Sequence, residues 1–292
     1  MFAQLRLFLL TTVAMIAFAA NSLLCRAALR DGALDATSYT AIRLASGALV
    51  LAIVVQARRG ATKGAAPAVG GAGSWASALA LAGYAIAFSY AYLQLSAGTG
   101  ALLLFGAVQL TMIVGALVRG ERPARHQWLG YAIALAGMVT INLPSLNAPP
   151  PTGAALMIAS GIAWGIYSLR GRGAARPIET TAGNFVRSVP LALVLAAVAV
   201  ASHGHVSARG ALLSIASGGL ASGLGYCLWY LVLPALGAAR GAIVQLAVPV
   251  LAAASAVVVL HEPVRRDVAI GGAIVLGGLA IALWPRRSRP AT

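Results

Sequence analysis

The sequence has few charged residues and very few acids. Only 9% of its 292 residues are charged and 60% are apolar, whereas water-soluble domains are about 25% charged. This composition excludes an ordinary soluble domain and indicates an integral membrane protein. Lys and Arg number 21 against 6 acids, but they stand at the ends of apolar runs rather than on one face. That distribution favours the lipid bilayer as a partner and disfavours nucleic acid.

The acids are absent from the middle of the apolar runs. An intramembrane carboxylate is the usual group that binds both a proton and a cationic drug. Its absence disfavours a proton-coupled exporter of organic cations. Glu121 and Glu262 are predicted to lie near the start of the helix that follows each of them, where the helix dipole favours an acid. The acids, all in predicted loops or at helix ends, are Asp31, Asp35, Glu121, Glu179, Glu262 and Asp267.

Other chemical signals are also missing. Cys25 and Cys227 form no disulfide framework and are predicted to be small apolar side chains in the bilayer. His203 and His205 flank Gly204, but two ligands without a third do not make a metal site. No deep set of nucleophile, acid and base supports an enzyme. No nucleotide-binding Gly-Lys-Ser/Thr motif is present, so energy has to come from gradients or from excess substrate. No cofactor is expected.

Long apolar runs are the dominant feature of the chain. A run of about 17 to 25 residues is long enough to cross the bilayer as a helix. The first run resembles a secretory signal, but Leu23 and Leu24 replace the small residues of a cleavage site, so it is predicted to stay as the first span. The sequence predicts an all-α membrane protein with ten spans, at residues 5–24, 36–57, 75–96, 99–118, 126–143, 153–170, 180–201, 211–233, 238–260 and 266–284.

The chain contains an internal repeat. The stretch from Ser96 to Ile141 recurs 141 residues later, and the match continues upstream with a shift of 144. Two diverged copies, residues 1–148 and 149–292, are therefore predicted. Equivalent positions are Gly130 and Gly271, Gly137 and Gly278, Glu121 and Glu262, and Arg43 and Arg187.

The repeat has an odd number of spans, so the second copy is predicted to enter the membrane from the opposite side. Such inverted repeats enclose a central site and support alternating access. Most Lys and Arg fall on one side if both termini are cytoplasmic. The exceptions are Arg26, Arg30, Arg209, Arg265 and Arg266.

The second copy carries the most specific family signal, HEP followed by GGAIVLGG, with QLAVPVLAA before it. These segments and the five-plus-five layout resemble the EamA group of the drug/metabolite transporter superfamily, and within it bacterial amino-acid exporters. The resemblance implies a secondary transporter of the bacterial inner membrane, monomeric or homodimeric. It implies export of aromatic and other neutral amino acids and related small metabolites through a central cavity. A multidrug or nucleobase permease of the same fold is the alternative. Val108 departs from the pattern, because its repeat partner is Pro249.

Two arginines lie about a third of the way into their spans. Arg43 and Arg187 have two possible roles: they snorkel or bind helix-end carbonyls, or they face the cavity and attract a substrate carboxylate.

Uncharged polar and aromatic residues deep in the spans form a second set. Such groups face protein or water rather than lipid, so they either line a cavity or link helices. Asn21 and Trp164 are near-equivalent in the repeat and are predicted to face each other. Gln245 lies one turn before Pro249, a predicted hinge that leaves a carbonyl without a partner. The set is Asn21, Tyr84, Gln109, Trp164, Asn184, Tyr226 and Gln245, and an interfacial belt is predicted at Tyr39, Trp75, Trp128 and Trp284.

Overall fold

The computed structural model describes residues 2–29, 34–61, 68–95, 97–142, 149–260 and 266–284. Apart from an isolated bridge between Leu34 and Val206, the regular structure of these residues is helical, as predicted. The helices are α1 (Phe2–Leu29), α2 (Ala36–Ala61), α3 (Trp75–Ala91), α4 (Ala97–Val118), α5 (Arg125–Asn142), α6 (Pro151–Gly171), α7 (Pro177–Ala201), α8 (Ala208–Ala216), α9 (Gly225–Gln245), α10 (Ala247–Leu260) and α11 (Arg266–Leu283). A π-helical stretch, Ser217–Leu224, joins α8 to α9.

Within the described residues, six helical segments are long and apolar enough to cross a membrane. They are Ala3–Leu29, Ala36–Gly60, Thr99–Val118, Pro151–Gly171, Pro177–Ala201 and Ala208–Gln245. The prediction of a helical membrane protein is confirmed.

The helix breaks agree with the sequence prediction at one position and differ from it at two others. The predicted gap between the runs 211–233 and 238–260 is matched by a kink in α9 at Gly237, whose φ of 76° separates two helical stretches. Only glycine adopts this backbone conformation without strain. The run 75–96, in contrast, stops being helical at Ala91 and continues as a turn. The second difference is a break at Leu246, inside the predicted ninth span.

Helices α5 and α11 pack with their backbones in contact at glycines. A β-carbon on Gly130 would collide with the backbone of Gly278, and one on Gly137 would collide with that of Gly271. The start of α5 therefore lies against the end of α11, and the two helices run antiparallel. The contacts are also reciprocal, because Gly130 and Gly271 are repeat-equivalent, as are Gly137 and Gly278. Small residues permit such close approach in a membrane.

The other helices surround a central region. Helix α2 packs against α7, α6 against α3 and α4, and α1 against α8, α9 and α10. Small residues also allow close packing at Gly161, which lies against the backbone of Leu104, and at Gly165, which lies against Thr111. Cys25 and Cys227 are free and buried, as predicted.

Candidate functional site

Arg43 is buried at the centre of the molecule. Its side chain is 1% exposed, although a charged group is costly to remove from water unless it is paired. Nε donates to Ser222 Oγ at 3.0 Å, and Nη2 donates to Tyr226 OH at 2.7 Å and to Tyr84 OH at 3.1 Å. Nη1 is buried without a hydrogen-bond partner, and no acid in the described ranges forms a salt bridge with this arginine. Arg43 is therefore a cation that still has a donor to offer.

The π-helical stretch allows these contacts. Its sequence, SGGLASGL, is rich in glycine, and Gly218 lies directly on the Arg43 carbonyl, where a β-carbon would not fit. This approach brings Ser217 and Ser222 to Asn21, to whose Oδ1 both hydroxyls donate. Through these hydroxyls the stretch joins α1 and α2 of the first half to the second half. Single π-turns inside α-helices are frequent at functional sites.

Two tyrosines meet beside the guanidinium. The hydroxyl oxygens of Tyr84 and Tyr226 are 3.3 Å apart, and Asn21 Nδ2 donates to Tyr84 OH at 3.2 Å. One tyrosine comes from α3 and the other from α9, so the two halves of the chain touch here. Arg43, Asn21 and the two tyrosines form one hydrogen-bonded group, which we call the Arg43 cluster.

A narrow cavity adjoins the Arg43 cluster and contains about 320 Å³ of empty space, its mouth included. Aromatic rings form most of its wall. The Trp164 ring centre lies 4.6 Å from that of Tyr226, 5.1 Å from that of Tyr84 and 5.2 Å from that of Phe18. Binding pockets commonly combine apolar walls with a few convergent polar groups. The lining residues are Phe18, Asn21, Ser22, Tyr84, Phe88, Leu104, Phe105, Trp164 and Tyr226.

Gln245 is tied to this wall at the break in the ninth span. Trp164 Nε1 donates to Gln245 Oε1 at 2.6 Å. The interruption at Leu246 lies three residues before Pro249, which cannot donate a backbone hydrogen bond. Gln109 plays a different part, because its Nε2 donates to the Ala242 carbonyl at 2.6 Å and so clamps α4 to α9.

The remaining two predicted residues bind the backbone of the segment before α3. Arg187 donates to the carbonyls of Gly70 at 3.0 Å and Ala72 at 2.6 Å, and Asn184 Oδ1 accepts from the Ser74 amide at 3.0 Å. Neither residue lines the cavity. Of the predicted set, Asn21, Tyr84, Trp164 and Tyr226 line the cavity, and Arg43 and Gln245 bind residues that line it.

Comparison with known proteins identifies the family. The model of the EamA-like transporter family matches residues 5–143 and, a second time, residues 151–284. The chain belongs to the EamA-like transporter family. The resemblance to this group predicted from the HEP and GGAIVLGG segments is thereby confirmed at the level of the family.

Relatives of this EamA-like chain are found in bacteria and archaea. An uncharacterized protein of Pseudomonas aeruginosa is 52% identical over 288 residues, 98% of this chain and 97% of that protein. An uncharacterized transporter of Archaeoglobus fulgidus is 27% identical over 207 residues, and a probable amino-acid metabolite efflux pump of Salmonella typhimurium is 26% identical over 220 residues. Both alignments cover 70% of this chain and 74% of the relative. A solved crystal structure that is 21% identical has the same fold, with a TM-score of 0.77 over 95% of this chain and 97% of that one.

Several residues around the EamA-like cavity were missed by the sequence argument. Ser217 and Ser222 looked like ordinary small residues in a glycine-rich span, and Phe18 like one of many apolar side chains. The prediction for Tyr39 was wrong: it is fully buried and bonds Ser217 at 2.8 Å, because α2 turns this face toward the second half. Trp75, Trp128 and Trp284 are 60%, 42% and 71% exposed, as a belt requires. The predictions for Asp31 and Glu262 lie outside the described residues.

Proposed function

We propose that this transporter exports amino acids, aromatic and other neutral ones, together with related small metabolites that carry a carboxylate. The observation that carries the proposal is the buried Arg43 guanidinium, which has no acidic partner in the described part of the chain and whose Nη1 has no hydrogen bond. A guanidinium presents its donors in a planar fork that matches a carboxylate. A substrate carboxylate would supply the counter-ion that the described residues do not.

The aromatic wall supports substrates with apolar or aromatic side chains. Offset and edge-to-face contacts with Phe18, Trp164 and Tyr226 stabilise such groups beyond the area they bury. The same rings suit the amino group, because an ammonium is attracted to the face of an aromatic ring. A zwitterionic amino acid thus suits the site at both ends, with the carboxylate at Arg43 and the ammonium near Trp164.

Alternating access between two inverted repeats of five spans each is the mechanism we propose. The family model matches the chain twice, and the glycine contacts between α5 and α11 are reciprocal between the copies. The Arg43 cluster joins both halves, as expected of a site on the axis that relates inverted repeats. We take residues 1–148 and 149–292 as the repeats and Pro249 as a hinge, and we place both termini in the cytoplasm of a bacterium, with the chain in its inner membrane.

Growth rescue tests the substrate class. Bacteria that express the chain are challenged with toxic loads of single amino acids or their analogues, with empty-vector cells and Arg43→Gln cells as controls. Relief by aromatic or other neutral amino acids that is lost in Arg43→Gln is the expected result. Relief from cationic dyes or nucleobases alone would refute amino-acid export and favour the drug or nucleobase permease.

A further inference from the structure

The ends of α4 and α6 meet the part of α9 that follows its bend on one side of the molecule, which we call the arginine-rich side. Ala116, Ala238 and Ala239 are buried together there, and Leu169 packs against them. Leu169 also fills the space that a side chain at Gly115 would occupy. The alanine side chains let α4 and α9 approach closely at this contact.

Glu121 is held over this contact by the end of α4. Gly120, with φ at 79°, terminates the helix, and the amides of Gly120 and Glu121 donate to the carbonyls of Leu117 and Ala116, both at 2.9 Å. This pair of bonds is the Schellman motif, which fixes the residue after the glycine. Glu121 was predicted to act near the start of α5, but the structure shows it turned toward the other half of the chain.

The Glu121 carboxylate binds two elements of the second half. Oε1 forms a salt bridge with Arg172, which follows the end of α6. Oε2 accepts from the amide of Ala239 at 3.4 Å, just after the bend of α9 at Gly237. The chain resumes its helix there, and an acid is stabilised near a helix N-terminus. One side chain therefore fastens α4 to α6 and to α9.

The fastened part of α9 also reaches the cavity. The segment Ala238–Gln245 begins at the Glu121 contact and ends at Gln245, which accepts from Trp164 at 2.6 Å. At a rise of about 1.5 Å per residue, about 10 Å separates the two ends. Movement of this segment at one end displaces the other, because an α-helix is stiff over two turns.

We infer that Glu121 is a positioning residue that holds the arginine-rich end of the transport path closed. It does so by binding Arg172 and the N-terminus of segment Ala238–Gln245, and the path opens toward that side only when Glu121 and Arg172 separate. The inference rests on the proposed transport function, but its test requires no substrate.

Thiol labelling of a buried reporter tests the closure. Met112→Cys places the reporter between the alanine contact and Gln245, which bonds Met112 Sδ at 3.1 Å, in a chain whose Cys25 and Cys227 are replaced by alanine. A membrane-impermeant maleimide is applied to the arginine-rich side of oriented vesicles.

Glu121→Gln and Arg172→Gln are each expected to speed labelling about five-fold, which corresponds to the contribution of a partly exposed ion pair. The double variant is also expected near five-fold, because both changes remove one interaction. Arg176→Gln, the same charge change in the same loop, is expected to leave the rate unaltered.

Three results would overturn the inference: labelling that stays slow in Glu121→Gln, effects of the two single changes that multiply in the double variant, or equal acceleration in Arg176→Gln. Failure of the growth rescue together with a positive labelling result would refute the substrate assignment and leave the closure intact.

Discussion

Arg43 and Arg187 occupy equivalent positions in the two copies but have different surroundings. Arg43 makes its three hydrogen bonds to the side-chain hydroxyls of Ser222, Tyr84 and Tyr226 and leaves Nη1 without a partner. Arg187 makes its three to backbone carbonyls. Hydroxyls rotate and both donate and accept, whereas carbonyls held in a folded segment do not move freely. We therefore expect rotation of the hydroxyl partners to accommodate a ligand at Arg43 Nη1, which the carbonyls around Arg187 do not permit.

The different surroundings follow from how the two halves pack. Around Arg187 of the second half, the first-half segment that contains Gly70 and Ala72 supplies two backbone carbonyls as acceptors. Around Arg43 of the first half, the glycines of the π-helical stretch bring a helix, rather than a loop, against α2. This helix offers hydroxyls instead of carbonyls. Arg187 thus fastens a loop, whereas Arg43 is the arginine that we propose binds a ligand.

The largest effect is expected from Arg43→Gln. Charged hydrogen bonds contribute about 1.5 to 3 kcal/mol each, so amino-acid binding in proteoliposomes should weaken about 50-fold. The thermal stability of the protein should stay the same or rise, because the substitution removes a buried charge that no acid among the described residues compensates. Binding is measured with labelled amino acid and stability by thermal denaturation in detergent.

Arg43→Lys serves as the charge-preserving control. It keeps the positive charge but loses the planar fork, so binding should fall between that of the wild type and that of Arg43→Gln. Normal affinity in Arg43→Gln would remove this residue from the substrate site and make the two arginines equivalent in function.

Arg187→Gln should reverse the pattern. The free energy of unfolding should fall by about 2 kcal/mol, because partly buried carbonyls of the segment before α3 lose their charged donor. Amino-acid affinity, measured on protein that remains folded, should change by less than about two-fold. A loss of affinity without a loss of stability would place Arg187 in the transport path.

The sequence predicts where the two arginines lie in their spans but not which partners each of them binds. The length of the apolar runs predicts the helices, because the thickness of the bilayer sets that length. The cost of burying polar groups marks Arg43, Arg187, Asn21 and Tyr84 as residues that need partners. The choice of partner depends on tertiary packing. The gap between the runs 211–233 and 238–260 marks the kink at Gly237, but the π-helical stretch leaves no periodic signal, because it alters the helix over only a few residues. The burial of Tyr39 follows from that packing.

Removal of either tyrosine hydroxyl should weaken binding about five-fold, since each hydrogen bond contributes about 1 kcal/mol. Tyr84→Phe and Tyr226→Phe act on the same Nη2 of Arg43, so the double variant should weaken binding by less than the product of the two. Tyr230→Phe is the matched control, because its hydroxyl donates to the Tyr167 carbonyl at 2.9 Å outside the cavity. Equal losses in all three variants would show that the hydroxyls matter for packing alone.

The smallest effect is expected from Gln245→Leu, with binding about three-fold weaker. Gln245 does not line the cavity but holds the Trp164 indole through a 2.6 Å hydrogen bond, and leucine has a similar size without the acceptor. Gln109→Leu is the control, because this residue binds the Ala242 carbonyl at 2.6 Å and should lose about 1 kcal/mol of stability with affinity retained. Gln245 and Gln109 thus repeat, with amides, the contrast between Arg43 and Arg187: the partner of Gln245 is a side chain that lines the cavity, and the partner of Gln109 is backbone. If Gln109→Leu lowered affinity as much as Gln245→Leu does, the rule that backbone partners mark structural residues would fail for both pairs.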